Sequence, residues 1–391
     1  MKAILGGRLI VEDERGEFCA LSDHALLYEK KIARIVPTEA LGEETRASLE
    51  EEIDAKGAFV APGFIDVHLH GAAGRDAMDD DEAAVRAIAR YQPSHGVTAI
   101  LPTTMTCDFS AVRHALGHIR AVMSQREPKE ARVLGAHMEG PFISAARCGA
   151  QDAAHILPAD FSFVEPFLDV VKRITIAPEE LPEGSRFIRD CQSRGVSISI
   201  GHSDADYDEA LRFLTEEGIR HVTHLFNGMP PFHHRAPGVV GAALDTDADC
   251  ELIADNLHSH PAAHRMLWRA KGGRHILLIT DSIRAAGIGD GESELGGQKV
   301  FVCGASATLA DGTLAGSVLT MDRAVANFAK NTGCGIPAAV ACAAKTPADG
   351  LGLYGEIGSL APNKRADIVI FDDDVHIQKT IIDGEIVFEN K

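Results

Sequence analysis

From about residue 60 to 345 the chain alternates between short apolar runs and longer stretches whose apolar positions recur at helical spacing. The runs are "FIDVH", "VTAILPT", "VLGAHMEG", "RITIAPE", "VSISIGH", "HVTHLFN", "CELIADNLH" and "HILLITDS". Short apolar runs bounded by polar residues fit strands buried on both faces, as in a parallel sheet. Between them, "DEAAVRAIARYQPSHG" and "YDEALRFLTEEG" place apolar residues three and four apart, the pattern of amphipathic helices. Strand and helix repeated in this way predict a (β/α)₈ TIM-like barrel. A doubly wound open sheet is the competing architecture, but no G-x-G-x-x-G motif follows a strand to support it.

The two ends of the chain differ from the middle. "KAILGGRLIV" and "FCALSDHALLYEKKIARIVP" at one end, and "IGSLAPNKRADIVIFDDDVHIQKTIIDGEIVFE" at the other, read as short strands broken by Gly and charged turns. "IIDGEIVF" predicts a hairpin with Asp-Gly at the turn. Both termini are therefore expected to build one small β-sandwich from residues 1–58 and 347–391, around a barrel over 59–346.

Metal-type side chains fall at the C-terminal ends of the expected barrel strands. His68 and His70 end the first, where alternate residues of a strand share a face. Glu139, His202, His224 and Asp281 end later ones. A single histidine at a strand end is more often a hydrogen-bonded structural residue. Several together matter more, because all strand ends of a barrel meet at one mouth, where catalytic groups are housed. Imidazole and carboxylate donors without thiolate suit zinc, with iron or manganese as alternatives. Glu139 could bridge two ions, one with His68 and His70, the other with His202 and His224. Asp281 could take a proton from an activated water and return it to a leaving amine, which makes metal-assisted hydrolysis the expected reaction class.

Composition narrows the partners. The 391 residues are 45% hydrophobic and 24% charged, as in ordinary globular proteins. A formal charge of -19 repels nucleic acid and anionic membrane, and no apolar run approaches the roughly 20 residues of a membrane span. An anionic substrate would need a local cationic pocket. Eight scattered cysteines without a C-x-x-C pair, behind a charged N-terminus, predict a reduced, cytoplasmic protein.

The motifs "PGFIDVHLHG", "HMEGPF", "GHSDA", "THLFNGM", "HHRAPG" and "LITDS" resemble, in order, those of the N-acetylglucosamine-6-phosphate deacetylase family of the amidohydrolase superfamily. The resemblance runs from about Ala61 to the C-terminus. It implies an amide hydrolase that removes acetyl from N-acetylglucosamine 6-phosphate, leaving glucosamine 6-phosphate and acetate. It further implies one ion on Glu139, His202 and His224, an optional second on His68 and His70, and Asp281 as the acid/base. Asn227, Gly228, Arg235 and His258 would read the sugar phosphate, with Arg235 reaching into the neighbouring subunit of a homodimer. Two departures stand out. Gln151 replaces a histidine that contacts the substrate's carbonyl in many members, with His155 nearby as a conceivable substitute. Ala236 replaces a Glu beside Arg235. The alternatives are the same chemistry on N-acetylgalactosamine 6-phosphate or an unphosphorylated sugar, and a non-catalytic sugar-phosphate-binding protein. Relatives that bridge their metals with a carboxylated lysine fit poorly, since no Lys stands at a strand end.

Overall fold

A computed structural model describes residues 1–390, the Thr45 side chain apart; Lys391, where the second sandwich segment was expected to end, lies outside the described residues. Eight parallel strands form the centre: β1 (Phe64–Leu69), β2 (Val97–Thr104), β3 (Ala136–Glu139), β4 (Val171–Ile176), β5 (Ser197–Ile200), β6 (His221–Val222), β7 (Asp249–Ile253) and β8 (Ile276–Ile279). Each pairs in parallel with the next, from β1 through to β8. The ring closes through fewer bonds. Asp281 N donates to His68 O at 2.9 Å, and Thr280 Oγ1 donates to Asp66 Oδ2 at 2.5 Å. Asp66 is fully buried and this bond stitches β1 to β8, while burial pushes its carboxyl up to about 7.

A helix follows every strand: α1 (Glu82–Tyr91), α2 (Phe109–Ser124), α3 (Phe161–Val164), α4 (Phe187–Gln192), α5 (Tyr207–Thr215), α6 (Gly238–Asp245), α7 (Pro261–Lys271) and α8 (Met321–Thr332). Their starts are written locally. Asp81, Asp108 and Asp206 accept bonds from backbone N–H groups of the first turns of α1, α2 and α5, and Glu209 completes a capping box on α5. The expected (β/α)₈ barrel is therefore the fold, although the ends of β5 and β6 come two residues before His202 and His224.

The interior departs from the usual branched aliphatic filling of such barrels. His137, Arg173, Thr175, Ser199, Thr223 and Glu251 are all fully buried. Thr223 Oγ1 lies 2.7 Å from Thr175 Oγ1 and 2.6 Å from Ser199 Oγ, and Thr175 Oγ1 lies 2.7 Å from His137 Nε2.

Strands from both chain ends form two sheets against the barrel. One joins Lys2–Leu5, His24–Tyr28, Ile32–Pro37 and Glu51–Asp54; the other joins Arg8–Glu12, Phe18–Leu21, Phe59–Pro62, Ile368–Phe371, Ile377–Ile382 and Glu385–Glu389. The expected Asp-Gly hairpin is there, with φ of 52° at Asp383 and 78° at Gly384. Both positive values are what a two-residue turn of this hand needs. Asp383 also fastens the sandwich to the barrel. Its carboxylate accepts from Arg126 at 3.1 Å, Arg132 at 2.9 Å and Arg365 at 3.2 Å. A three-stranded antiparallel meander, Gly291–Leu295, Gln298–Cys303 and Ser306–Thr308, is inserted between β8 and α8. Its register buries Leu295, Val300, Val302 and Ala307 against Met105 and Ile283, beside the barrel mouth.

Candidate active site

His68 and His70, two apart at the end of β1, share a face as the strand period requires, and their rings sit 5.3 Å apart at 78°. Glu139 closes β3. His202, His224 and Asp281 each sit just past a strand end with positive φ, at 48°, 30° and 50°. A side chain with a Cβ rarely adopts this conformation, and such strain gathers at functional sites. Here it turns three side chains back over the mouth.

The donors converge in two sets. Glu139 Oε1 lies 3.1 Å from His224 Nε2 and 3.3 Å from His202 Nε2, and the two nitrogens are 3.1 Å apart. On the other side, Asp281 Oδ1 lies 3.5 Å from His68 Nε2 and 3.2 Å from His70 Nε2. Glu139 joins the sets, with Oε1 3.4 Å from His68 Nε2 and Oε2 3.2 Å from His70 Nε2. All six residues are buried.

The outer ring nitrogens decide the tautomers. His202 Nδ1 lies 2.8 Å from Arg147 O, and His70 Nδ1 lies 3.2 Å from Thr103 O. A carbonyl only accepts, so each Nδ1 carries a proton and each Nε2 is the nitrogen turned toward the cluster. His68 Nε2 is a buried nitrogen with no hydrogen-bond partner among the described residues. Inward ring nitrogens gathered around two carboxylates suit a divalent cation, so the residues fit a metal centre. Electrostatics agree. Burial pushes the His70 imidazole down, but bonding to Asp281 and Glu139 outweighs it and carries it up to about 9. The pocket favours positive charge, which protons or a metal ion can supply.

His137, His68 and Glu251 form a third close group, but it does not suit an ion. His137 uses both ring nitrogens, on Val67 O at 3.1 Å and Thr175 Oγ1 at 2.7 Å. Burial, and then the neighbouring His68 charge, push it down to about 3, so it is a neutral packing residue. Glu251 instead supports His68, with Oε2 3.0 Å from Nδ1. Burial pushes its carboxyl up, yet His68 and Arg173 outweigh that and hold it below the carboxylate range.

A cavity of about 250 Å³ opens over the cluster, lined by His70, Glu139, His202, His224 and Asp281 as well as Gln151, Asn227, Gly228 and His258. The His258 Nδ1 lies 2.7 Å from Asp255 Oδ2, which leaves Nε2 for the cavity. Gly228, at φ 62°, lets the backbone approach: a Cβ there would stand 3.1 Å from His202 Nδ1. Asn227 Nδ2 donates to His224 O and Leu225 O, both at 3.3 Å.

The remaining expected residues divide between the cavity and the surface. Gln151 lines the cavity, and its amide is engaged with Glu139 and Thr106. His155 is no substitute, since it is bonded to Asp152 at 2.9 Å and lies outside the cavity lining. Arg235 is exposed, with Nη1 2.9 Å from His234 Nε2, and does not line the cavity of its own chain. Sequence reasoning also passed over Leu295, Thr313, Leu314 and Gly316, which complete the rim from the segment between β8 and α8. Glu251 and Arg173 were passed over as well. Their signal was a charged residue inside a run that otherwise reads as buried strand, "CELIA" and "VKRITI".

Residues 59–387 match the amidohydrolase family, and the chain belongs to it. Enzymes of this family are metal-dependent, which agrees with the donor set at the mouth. Within the family its relatives are narrower in kind. It is 38% identical over 357 residues to the N-acetylglucosamine-6-phosphate deacetylase of Bacillus subtilis (strain 168), covering 89% of this chain and 90% of that protein. It is 36% identical to the N-acetylgalactosamine-6-phosphate deacetylase of Escherichia coli O157:H7 over 373 residues, 94% of this chain and 95% of that one. A crystal structure of N-acetylglucosamine-6-phosphate deacetylase from Pasteurella multocida superposes over the full length of both chains with a TM-score of 0.91 at 29% identity.

Proposed function

We propose that this chain hydrolyses the N-acetyl group of N-acetylglucosamine 6-phosphate, giving glucosamine 6-phosphate and acetate. The supporting observation is the convergence of Glu139 Oε1 with the Nε2 atoms of His202 and His224, opposite Asp281, on the floor of one cavity. Relatives with this activity share up to 40% identity.

Glu139, His202 and His224 would hold one divalent ion, zinc by the character of the donors. His68 and His70, with Asp281 beside them, offer a second position. A bound ion supplies Lewis acidity, making water a usable nucleophile near neutral pH. Asp281 accepts the proton of the attacking water as its oxygen adds to the acetyl carbon. It then delivers that proton to the nitrogen as the carbon–nitrogen bond breaks. Asn227, the Gly228 backbone and His258 face the sugar phosphate. Exposed Arg235 serves a second copy in a homodimer, where its planar fork matches phosphate oxygens. Eight cysteines without a disulfide support a cytoplasmic setting, and no helix among the described residues is long and apolar enough to cross a membrane.

The test is release of free amine from N-acetylglucosamine 6-phosphate, N-acetylgalactosamine 6-phosphate and N-acetylglucosamine by metal-loaded protein. The highest kcat/KM on the first supports the proposal. A preference for the galacto epimer transfers the activity to that sugar, and no release from any of the three rejects it.

A further inference from the structure

Below the mouth lies a buried ion pair that takes no part in the proposed hydrolysis. Glu251 on β7 and Arg173 on β4 are both 0% exposed, and Arg173 Nη1 donates to Glu251 Oε1 at 2.8 Å. A pair of this kind is typically no more stable than apolar side chains of the same volume, because both charges lose their hydration. Its presence in a barrel core therefore calls for another reason.

The second Glu251 oxygen supplies one. Oε2 lies 3.0 Å from His68 Nδ1. An ionised carboxylate accepts hydrogen bonds and cannot donate them, and the always-protonated guanidinium of Arg173 preserves that state. His68 must then carry its proton on Nδ1. Its Nε2 is thereby the nitrogen left for the cluster, directed at Glu139 and Asp281 and without a hydrogen-bond partner. The neighbouring ring shows the contrast. His137 sits 4.6 Å from His68, centroid to centroid, and spends both nitrogens on protein partners. His68 alone of the two is held open. The same Glu251 oxygen also accepts from the His224 backbone N at 3.4 Å, a longer bond to main chain rather than to a ring nitrogen.

We propose that Glu251, backed by Arg173, is a positioning residue that holds His68 in place for a metal ion shared with His70 and Asp281. This rests on reading the mouth cluster as a metal centre. A carboxylate behind a ligating histidine fixes its ring and raises its basicity, and losing such support typically weakens metal binding about 10- to 100-fold.

The experiment counts metal rather than product, so failure of the deacetylase assignment and failure of this proposal are separate results. Full-length protein is stripped of metal and titrated with Zn²⁺ against a chelator. The double variant Glu251→Leu/Arg173→Met removes both charges together and leaves neither unpaired. The wild type should bind two ions. The double variant should keep one with unchanged affinity and bind the other about 10- to 100-fold more weakly. Adding His68→Ala to the double variant should weaken that ion further and leave the other unchanged. In the zinc-loaded protein, ¹⁵N spectra of histidine should show His68 with its proton on Nδ1 and the metal on Nε2 in the wild type, and a weakened form of that signature in the double variant. Should the double variant not fold, Glu251→Asp withdraws the carboxylate from His68 while keeping the charge pair, and the same outcomes apply to it. A single ion in the wild type, unchanged binding of both ions in the variant, or equal weakening of both would overturn the proposal.

Discussion

Gln151 is bonded to Glu139: its Nε2 donates to Oε2 at 2.8 Å, while its own Oε1 accepts from Thr106 N at 2.6 Å. Both ends of the amide are thus engaged, and Gln151 orients the carboxylate that joins the two halves of the cluster. Gln151→Ala should therefore weaken retention of the ion on Glu139, His202 and His224 by about tenfold or more, and added metal should restore turnover. Metal content after dialysis checks this. A turnover loss that excess metal does not repair would assign Gln151 to the substrate.

Asp281 stands 3.2 Å from His70 Nε2, at the edge of the cluster facing the cavity. Asp281→Asn keeps the shape and removes the proton acceptor. Turnover should fall about 10²-fold or more, the ordinary scale for losing general acid–base catalysis, with the Glu139, His202 and His224 ion retained. Steady-state rates and metal analysis on one preparation decide it.

Arg235, exposed and away from its own cavity, should matter through the phosphate. Arg235→Ala is expected to raise KM for the phosphorylated sugar about tenfold, the scale of a lost hydrogen bond to a charged group, and to leave the free sugar's kcat/KM unchanged. Equal losses on both sugars would remove the phosphate contact.

Asp383 allows a stability test with a defined sign. Burial pushes its carboxyl up, but bonding to Arg132 and the charges of Arg132 and Arg126 outweigh this and hold it below the ordinary value. A carboxyl depressed in the folded state contributes stability that is fully present above its unfolded value, about 3.9, and is lost as pH falls through the folded value. Asn tolerates the positive φ at this turn, so Asp383→Asn removes mainly the charge. Urea unfolding at pH 7 should show a loss of about 1–3 kcal/mol, and the difference from wild type should shrink as the solution is acidified below the ordinary carboxylate value.

Local rules carried much of this structure. The two-residue period of a strand suffices to place His68 and His70 on one face, and Asp383-Gly384 encodes its turn in two residues. Glu139, His202, His224 and Asp281 were legible as a group because a barrel gathers its strand ends, whatever their separation in sequence. The direction of Gln151 was not legible, since it depends on Thr106 and Glu139, which lie on other elements. The polar barrel interior was hidden for a related reason. Arg173 and Glu251 neutralise each other across β4 and β7, a pairing that neither strand reveals alone. The meander over 291–308 interrupts the strand–helix alternation and was absorbed into the last repeat.

The six-stranded terminal sheet sets an order on synthesis. Phe59–Pro62 leads directly into β1 and its histidines, but its neighbour Ile368–Phe371 emerges only after the whole barrel has been made. During translation that edge stays open for some three hundred residues, and open edges of apolar strands invite pairing with other chains. The barrel can therefore assemble on the ribosome before its support is complete. That edge is covered once Ile368–Phe371 pairs with it, before the last hairpin brings Asp383 to its three arginines.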